Sequence, residues 1–110
     1  MQTPFASDDC PQKEVNVYFE ESNKIIDQFE YTSAATYRAY QEQLDLDYPP
    51  CLEKLQSLTT NYFYYTWEAT SAHEKGDANN SNHYIELAEQ AYEKMSAELD
   101  RLGAEYGWDS

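Results

Sequence analysis

Residues 29–37, Phe29-Glu30-Tyr31-Thr32-Ser33-Ala34-Ala35-Thr36-Tyr37, decide the fold. They sit inside a periodic segment running from about Gln12 to Leu46. Val15, Tyr18/Phe19, Ser22, Ile25/Ile26, Phe29, Ser33, Tyr37, Tyr40 and Leu44 recur there at helical spacing. If the stretch is helical, the segment is one helix of ~33 residues and ~50 Å. If the chain breaks near Thr32-Ser33, with Ser33 capping the second piece, the segment becomes two antiparallel helices. No Gly or Pro interrupts it, and its apolar register passes through without a slip. The continuous helix is therefore the expectation, with the broken form as the alternative.

Two further segments follow. One runs from about Pro50 to Lys75, with Leu52, Leu55, Leu58, Tyr62/Phe63, Thr66, Ala69 and Ala72/His73 as its stripe, and Gly76 closes it. The other runs from about Ala78 to Leu102. Asp77, Asn79 or Asn80 can cap it, its stripe is Ile85, Ala88, Tyr92, Met95, Leu99, Leu102 and Tyr106, and Arg101 and Gly103 mark its end. No segment alternates as a strand does. The fold class is all-α, and the short connections predict an antiparallel up-down-up three-helix bundle, or four shorter helices if the first helix breaks.

A chain of 110 residues makes one domain and can bury a core. The expected limits are an N-terminal arm over 1–9, the bundle over 10–106 and a C-terminal tail over 107–110. Residues 1–10 have neither the basic start nor the apolar run of a signal peptide. No apolar run approaches the ~20 residues of a membrane span. With 21 acids against 7 bases the net charge is -14, which argues against direct binding of nucleic acid or anionic lipid. The partner expected is a protein, basic if charge selects it, and self-association into a homo-oligomer stays open.

Cys10 and Cys51 have alike settings, the first before Pro11 and the second after Pro49-Pro50, so each marks a helix start. An even count in matching positions points to a disulfide and to an oxidising compartment. A continuous first helix conflicts with this pairing, because it carries the two cysteines to opposite ends of the bundle. The alternative is two unpaired thiols and a cytoplasmic setting.

Chemistry-bearing patterns are few. Nothing matches G-x-S-x-G, a P-loop or G-x-G-x-x-G, so neither catalytic residues nor a cofactor are expected and the protein reads as non-enzymatic. His73 and His83 flank the Gly76-Asp77 turn, with Glu74, Asp77 and Glu86 nearby, and are the only candidates for a metal. Solvated histidines beside acids are the simpler reading. Asp77–Asn82 fails as a calcium loop: its sixth position is Asn82 and its twelfth Ala88. The run Tyr62-Phe63-Tyr64-Tyr65-Thr66-Trp67 points aromatic rings all round a helix. Either that helix is central, or Tyr62, Tyr64, Tyr65 and Trp67 offer a contact surface, which Tyr31, Tyr37 and Tyr40 could extend. Glu86, Glu89, Glu93 and Asp100 form an acidic stripe roughly opposite the apolar one. It is a solvated face, or it meets a basic partner, or it imitates nucleic-acid phosphates as an inhibitor of a DNA- or RNA-binding protein.

The Pro49-Pro50-Cys51 start, Trp67-Glu68-Ala69 and the Gly76-Asp77 turn before Tyr84…Ala88 resemble small helical extracytoplasmic domains of bacteria, often lipoprotein-like. In those, a cysteine near the start and one after the prolines recur, as Cys10 and Cys51 do over residues 10–102. The resemblance implies an extracytoplasmic binding module without a catalytic mechanism. The turn also resembles those of tetratricopeptide repeats, but no second copy follows at that period.

Overall fold

The first periodic segment breaks in two. A computed structural model describes residues 10–108, and the arm expected over 1–9 lies outside them, as do 109–110. Among the described residues four α-helices follow one another: α1 (Gln12–Asp27), α2 (Ser33–Leu44), α3 (Glu53–Glu74) and α4 (Ala78–Tyr106). A single 3₁₀ turn, Pro50–Leu52, leads into α3. Among the described residues there is no strand.

The break has one local and one distant cause, neither of which apolar spacing reveals. Thr32 is extended, and its hydroxyl accepts the Ala35 N–H at 3.1 Å, so it and not Ser33 is the cap. Ser33 instead donates its N–H and its hydroxyl to the Glu74 carboxylate at the end of α3, at 2.8 and 2.6 Å. An unpaired helix-start amide is thus satisfied by an anion where the helix dipole favours one. These bonds stabilise the carboxylate and hold the Glu74 pKa below the usual carboxylate range. The expected three-helix bundle with one long first helix is therefore replaced by four shorter helices.

The reversal brings the cysteines together. Cys10 and Cys51 form a disulfide with Cα atoms 5.2 Å apart, within the range such a bond requires. Around it Val15, Tyr18, Leu52, Leu55 and Leu102 make one buried cluster. Ile25, Ala39 and Phe63 make a second, higher along α3. α3 is the central element: α2 runs antiparallel to it on one side and α4 on the other. α1 lies parallel to it and covers only its first half, reaching Phe63 through Phe29.

The centre is partly polar. In α2 the buried positions are Thr36, Ala39 and Gln43, not the apolar set Ser33, Tyr37, Tyr40 and Leu44; Tyr37 and Leu44 are exposed. Gln43 donates to the Tyr18 hydroxyl (3.0 Å) and to Gln56 Oε1 (2.8 Å), and accepts from the Ser22 hydroxyl (3.1 Å). Tyr18 donates to Gln56 Oε1 at 2.8 Å, and the Gln56 amide donates to the Gln43 carbonyl. The network ties α1, α2 and α3 together, and no described buried side-chain polar atom lacks a partner.

α4 runs through Gly103, where the sequence suggested an end, and stops at Gly107, whose φ of 71° is left-handed. Trp108 donates its N–H back to the Gly103 carbonyl, stacks on Tyr106 and meets Phe19 edge-on at 6.0 Å. This aromatic anchor on α1 gives the last turn of α4 something to pack on. At the other end Gly76, φ 78°, makes the turn, and the Asp77 side chain accepts the Asn80 N–H.

Two outcomes test this architecture. Reduction should raise the intact mass by two hydrogens and lower stability by roughly 3–4 kcal/mol, as the loop-closure model gives for a loop of this size; an unchanged denaturation midpoint would contradict the closure. Burial pushes the Tyr18 phenol up to about 12. The folded chain keeps a proton that the unfolded chain loses near pH 10, so Tyr18's contribution to stability is complete below about pH 10 and lost as pH rises through about 12. Ultraviolet titration should show that Tyr18→Phe removes the latest-ionising tyrosine, with a loss of roughly 1–3 kcal/mol from the unpaired amides.

Candidate binding groove

α1 ends halfway along α3, and the space beyond it is open. There the upper halves of α3 and α4 enclose a groove of about 720 Å³. Its α3 side is formed by Tyr62, Thr66, Ala69, Thr70 and His73. These recur at three- and four-residue steps, so they share one helix face. Its α4 side is formed by Ser81, Ile85, Ala88 and Tyr92, with the exposed carboxylates Glu89 and Glu93. Tyr31, from the connection between α1 and α2, lines it too. The floor is made of small residues and the walls of large ones, which gives a concave apolar surface. Each wall carries exposed apolar area: Ile85 is 43% exposed, Tyr92 57% and Tyr31 73%.

The expected apolar stripe of α4 is corrected here. Ala88 and Leu102 are buried, whereas Ile85, Tyr92 and Leu99 are exposed. The reason lies in the break. A continuous first helix would lie over this face along its whole length; α1 stops short, and α2 crosses to the opposite side of α3.

The aromatic run of α3 is shared among three neighbours. Tyr64 and Trp67 face α2, where Tyr40 sits 5.6 Å from Tyr64 and Tyr37 4.8 Å from Trp67. Tyr65 stacks on Tyr84 of α4. Phe63 is buried beneath Ile25 and Phe29. Tyr62 alone of the four proposed contact aromatics lines the groove, with its ring 5.9 Å from Tyr92. Burial raises the Tyr62 phenol, and the neighbouring phenols Tyr31 and Tyr92 add to the shift. Of the acidic stripe, Glu89 and Glu93 line the groove, and Glu86 and Asp100 are exposed on α4 outside it.

His73 lines the groove, and His83 packs edge-on against the Tyr84 ring. Among the described residues no group of three or more His, Cys, Asp and Glu side chains gathers as a metal centre would require. One carboxylate that the sequence reading passed over is Glu98. It is buried, bonded twice to Arg101 and approached by Lys54, and these partners hold it below the usual carboxylate range. It lies at the lower end of the molecule, beside Lys54 at the start of α3. No helix of the described residues is long and apolar enough to cross a membrane.

Sequence reasoning missed the groove's floor. Thr66, Ala69, Thr70, Ser81 and Ala88 are small, and small residues on a helix mark close packing as readily as a cavity. The one usable signal was the seven-residue recurrence of Ile85, Tyr92 and Leu99, which reads as core until the covering helix is seen to be missing. No protein-family model, characterised protein or solved structure matches this chain.

Because the walls are exposed, the Ile85→Ser, Tyr92→Ser double variant should lose at most about 1 kcal/mol of stability, while Phe63→Ala should lose about 3–5 kcal/mol. Comparable losses in chemical denaturation would mean that the walls belong to the core.

Proposed function

We propose that this protein is a non-catalytic binding module that takes up an apolar segment of a protein partner in the groove between the upper halves of α3 and α4. The observation carrying this reading is the exposure of Tyr31, Ile85 and Tyr92 around one concave apolar surface. Large apolar side chains grouped at a cleft mark interaction sites, and tyrosine supplies contact area at low entropic cost. The remaining aromatics of the proposed contact set, Tyr64, Tyr65 and Trp67, support the site from behind by bracing α3 against α2 and α4.

The acidic surface favours a protein partner of opposite charge. It fits an imitation of nucleic acid less well. Glu86, Glu89, Glu93 and Asp100 follow at steps of three, four and seven residues, about 4.5, 6 and 10.5 Å along a helix, wider and less regular than the phosphate every ~3.4 Å of one DNA strand. The Cys10–Cys51 disulfide supports an extracytoplasmic setting, where such bonds persist.

Affinity capture from the native host's lysate tests the site. A partner retained by the wild-type chain should be lost by Ala88→Trp, which fills the groove, and by Ile85→Ser, Tyr92→Ser, which strips its wall, with both variants still folded. Equal retention by all three would place binding elsewhere.

A further inference from the structure

We infer that the segment this groove accepts is a basic amphipathic helix of about three turns, lying end to end with α1 along the same track. The inference rests on the groove being the binding site and specifies the chemistry of what binds there.

The track has the dimensions of a helix, because a helix already lies in its lower half. There α1 sets Val15 and Tyr18 against Leu55 and Leu102, and Ile25 against Phe63. The α3 face beneath α1 continues upward without a change of phase into Tyr62, Thr66, Ala69 and His73. From Tyr62 to His73, or from Ser81 to Glu93, the open part measures about 17–18 Å at 1.5 Å per residue, which matches 11–12 residues of helix. The α4 wall agrees. Ile85, Tyr92 and Leu99 stand seven residues apart, the spacing of one seam of a helix-on-helix contact, with Ala88, Met95 and Leu102 as the alternate row turned inward. Met95 and Leu102 of the inward row pack against α3 and α1, whereas Ile85, Tyr92 and Leu99 of the outward row stay exposed, which leaves a seam lacking its third helix.

Charge identifies that helix as basic. Turning from the apolar row toward solvent, α4 carries Glu89 and then Glu86 and Glu93, the chain neighbours of Ile85 and Tyr92. Both charged side chains lining the groove, Glu89 and Glu93, are carboxylates, and its one basic side chain is His73. A helix seated between α3 and α4 therefore presents its outer edge to a row of acids, where Lys or Arg on that edge is favoured and Glu or Asp repelled. A second copy of this chain brings the same net charge of -14 and the same acidic edge, so it is the wrong occupant. Residues 1–9 contain Asp8 and Asp9 but no Lys or Arg, so they are equally ill suited.

The test is calorimetric titration of the full chain with three synthetic peptides of about 14 residues. The first has Leu at helical a and d positions and Lys on both flanks. The second has Glu for every Lys, and the third is the first with a central Pro, which breaks the helix. The first peptide is expected to bind at least about tenfold more tightly than the others, with an affinity that falls as salt rises. Its binding should be lost with Ala88→Trp and weakened severalfold with Glu86→Gln, Glu89→Gln, Glu93→Gln. If the glutamate or the proline peptide binds equally well and Ala88→Trp still abolishes binding, the groove survives as a site and the basic helix is overturned. If the lysine peptide binds Ala88→Trp undiminished, the groove reading falls with it. No binding of any peptide overturns the inference, as does sedimentation of the chain as a dimer that Ala88→Trp dissolves, since the occupant is then a second copy.

Discussion

The covalent link between Cys10 and Cys51 requires the start of α1 and the start of α3 to share one end of the molecule. Everything between them must leave that end and return. Two antiparallel helices satisfy the requirement, and one helix of ~50 Å does not. The far end is held by a different force. Glu74 closes α3 and receives the amide and hydroxyl of Ser33, so α2 starts where α3 finishes. A bond at the bottom and an anion at a helix start at the top thus determine that α2 runs antiparallel along α3.

Between these ends the chain relies on a polar centre. A rod of 59 × 21 × 19 Å has little interior, and its two apolar clusters lie apart along it. Tyr18, Ser22, Gln43 and Gln56 occupy the middle, and each satisfies the others. A buried amide without a partner is costly, so α2 has few acceptable positions against α1 and α3. Apolar side chains would tolerate sliding by a turn; Gln43 does not, because its amide has partners at only one register.

The same reversal produces the open site. Had the first segment stayed straight, it would have laid an apolar face along the full length of α3 and α4. By ending α1 at Asp27 and reversing only at Thr32-Ser33, the chain fills the lower half of that track with α1 and moves α2 to the other side of α3. Ile85 and Tyr92, spaced as core residues are, then remain at the surface. The acids Glu86, Glu89 and Glu93 of α4 stand beside this apolar edge, on its solvent side. The groove is thus a consequence of where one helix stops, and its acidic edge a consequence of which α4 residues flank it.

From the amino-acid sequence alone came the helical class, the positions of α3 and the start of α4, the Gly76 turn with Asp77 as one of three candidate caps, and the acidity of the surface. These follow from side chains acting on their own neighbours: apolar spacing, Pro50 before α3, Asp77 reaching Asn80. The pairing of Cys10 with Cys51 was legible only as one of two conflicting readings. The tertiary structure decided the break at 28–32, because the Glu74 carboxylate that stabilises it lies 41 residues from Ser33 and no local pattern announces it. It decided that Gln43, a polar residue off the stripe read as apolar, is wholly buried, since its partners Tyr18, Ser22 and Gln56 come from the two neighbouring helices α1 and α3. It also decided the site. Ile85 and Tyr92 have the spacing of buried residues whether or not a helix covers them, and coverage depends on the path of a distant segment.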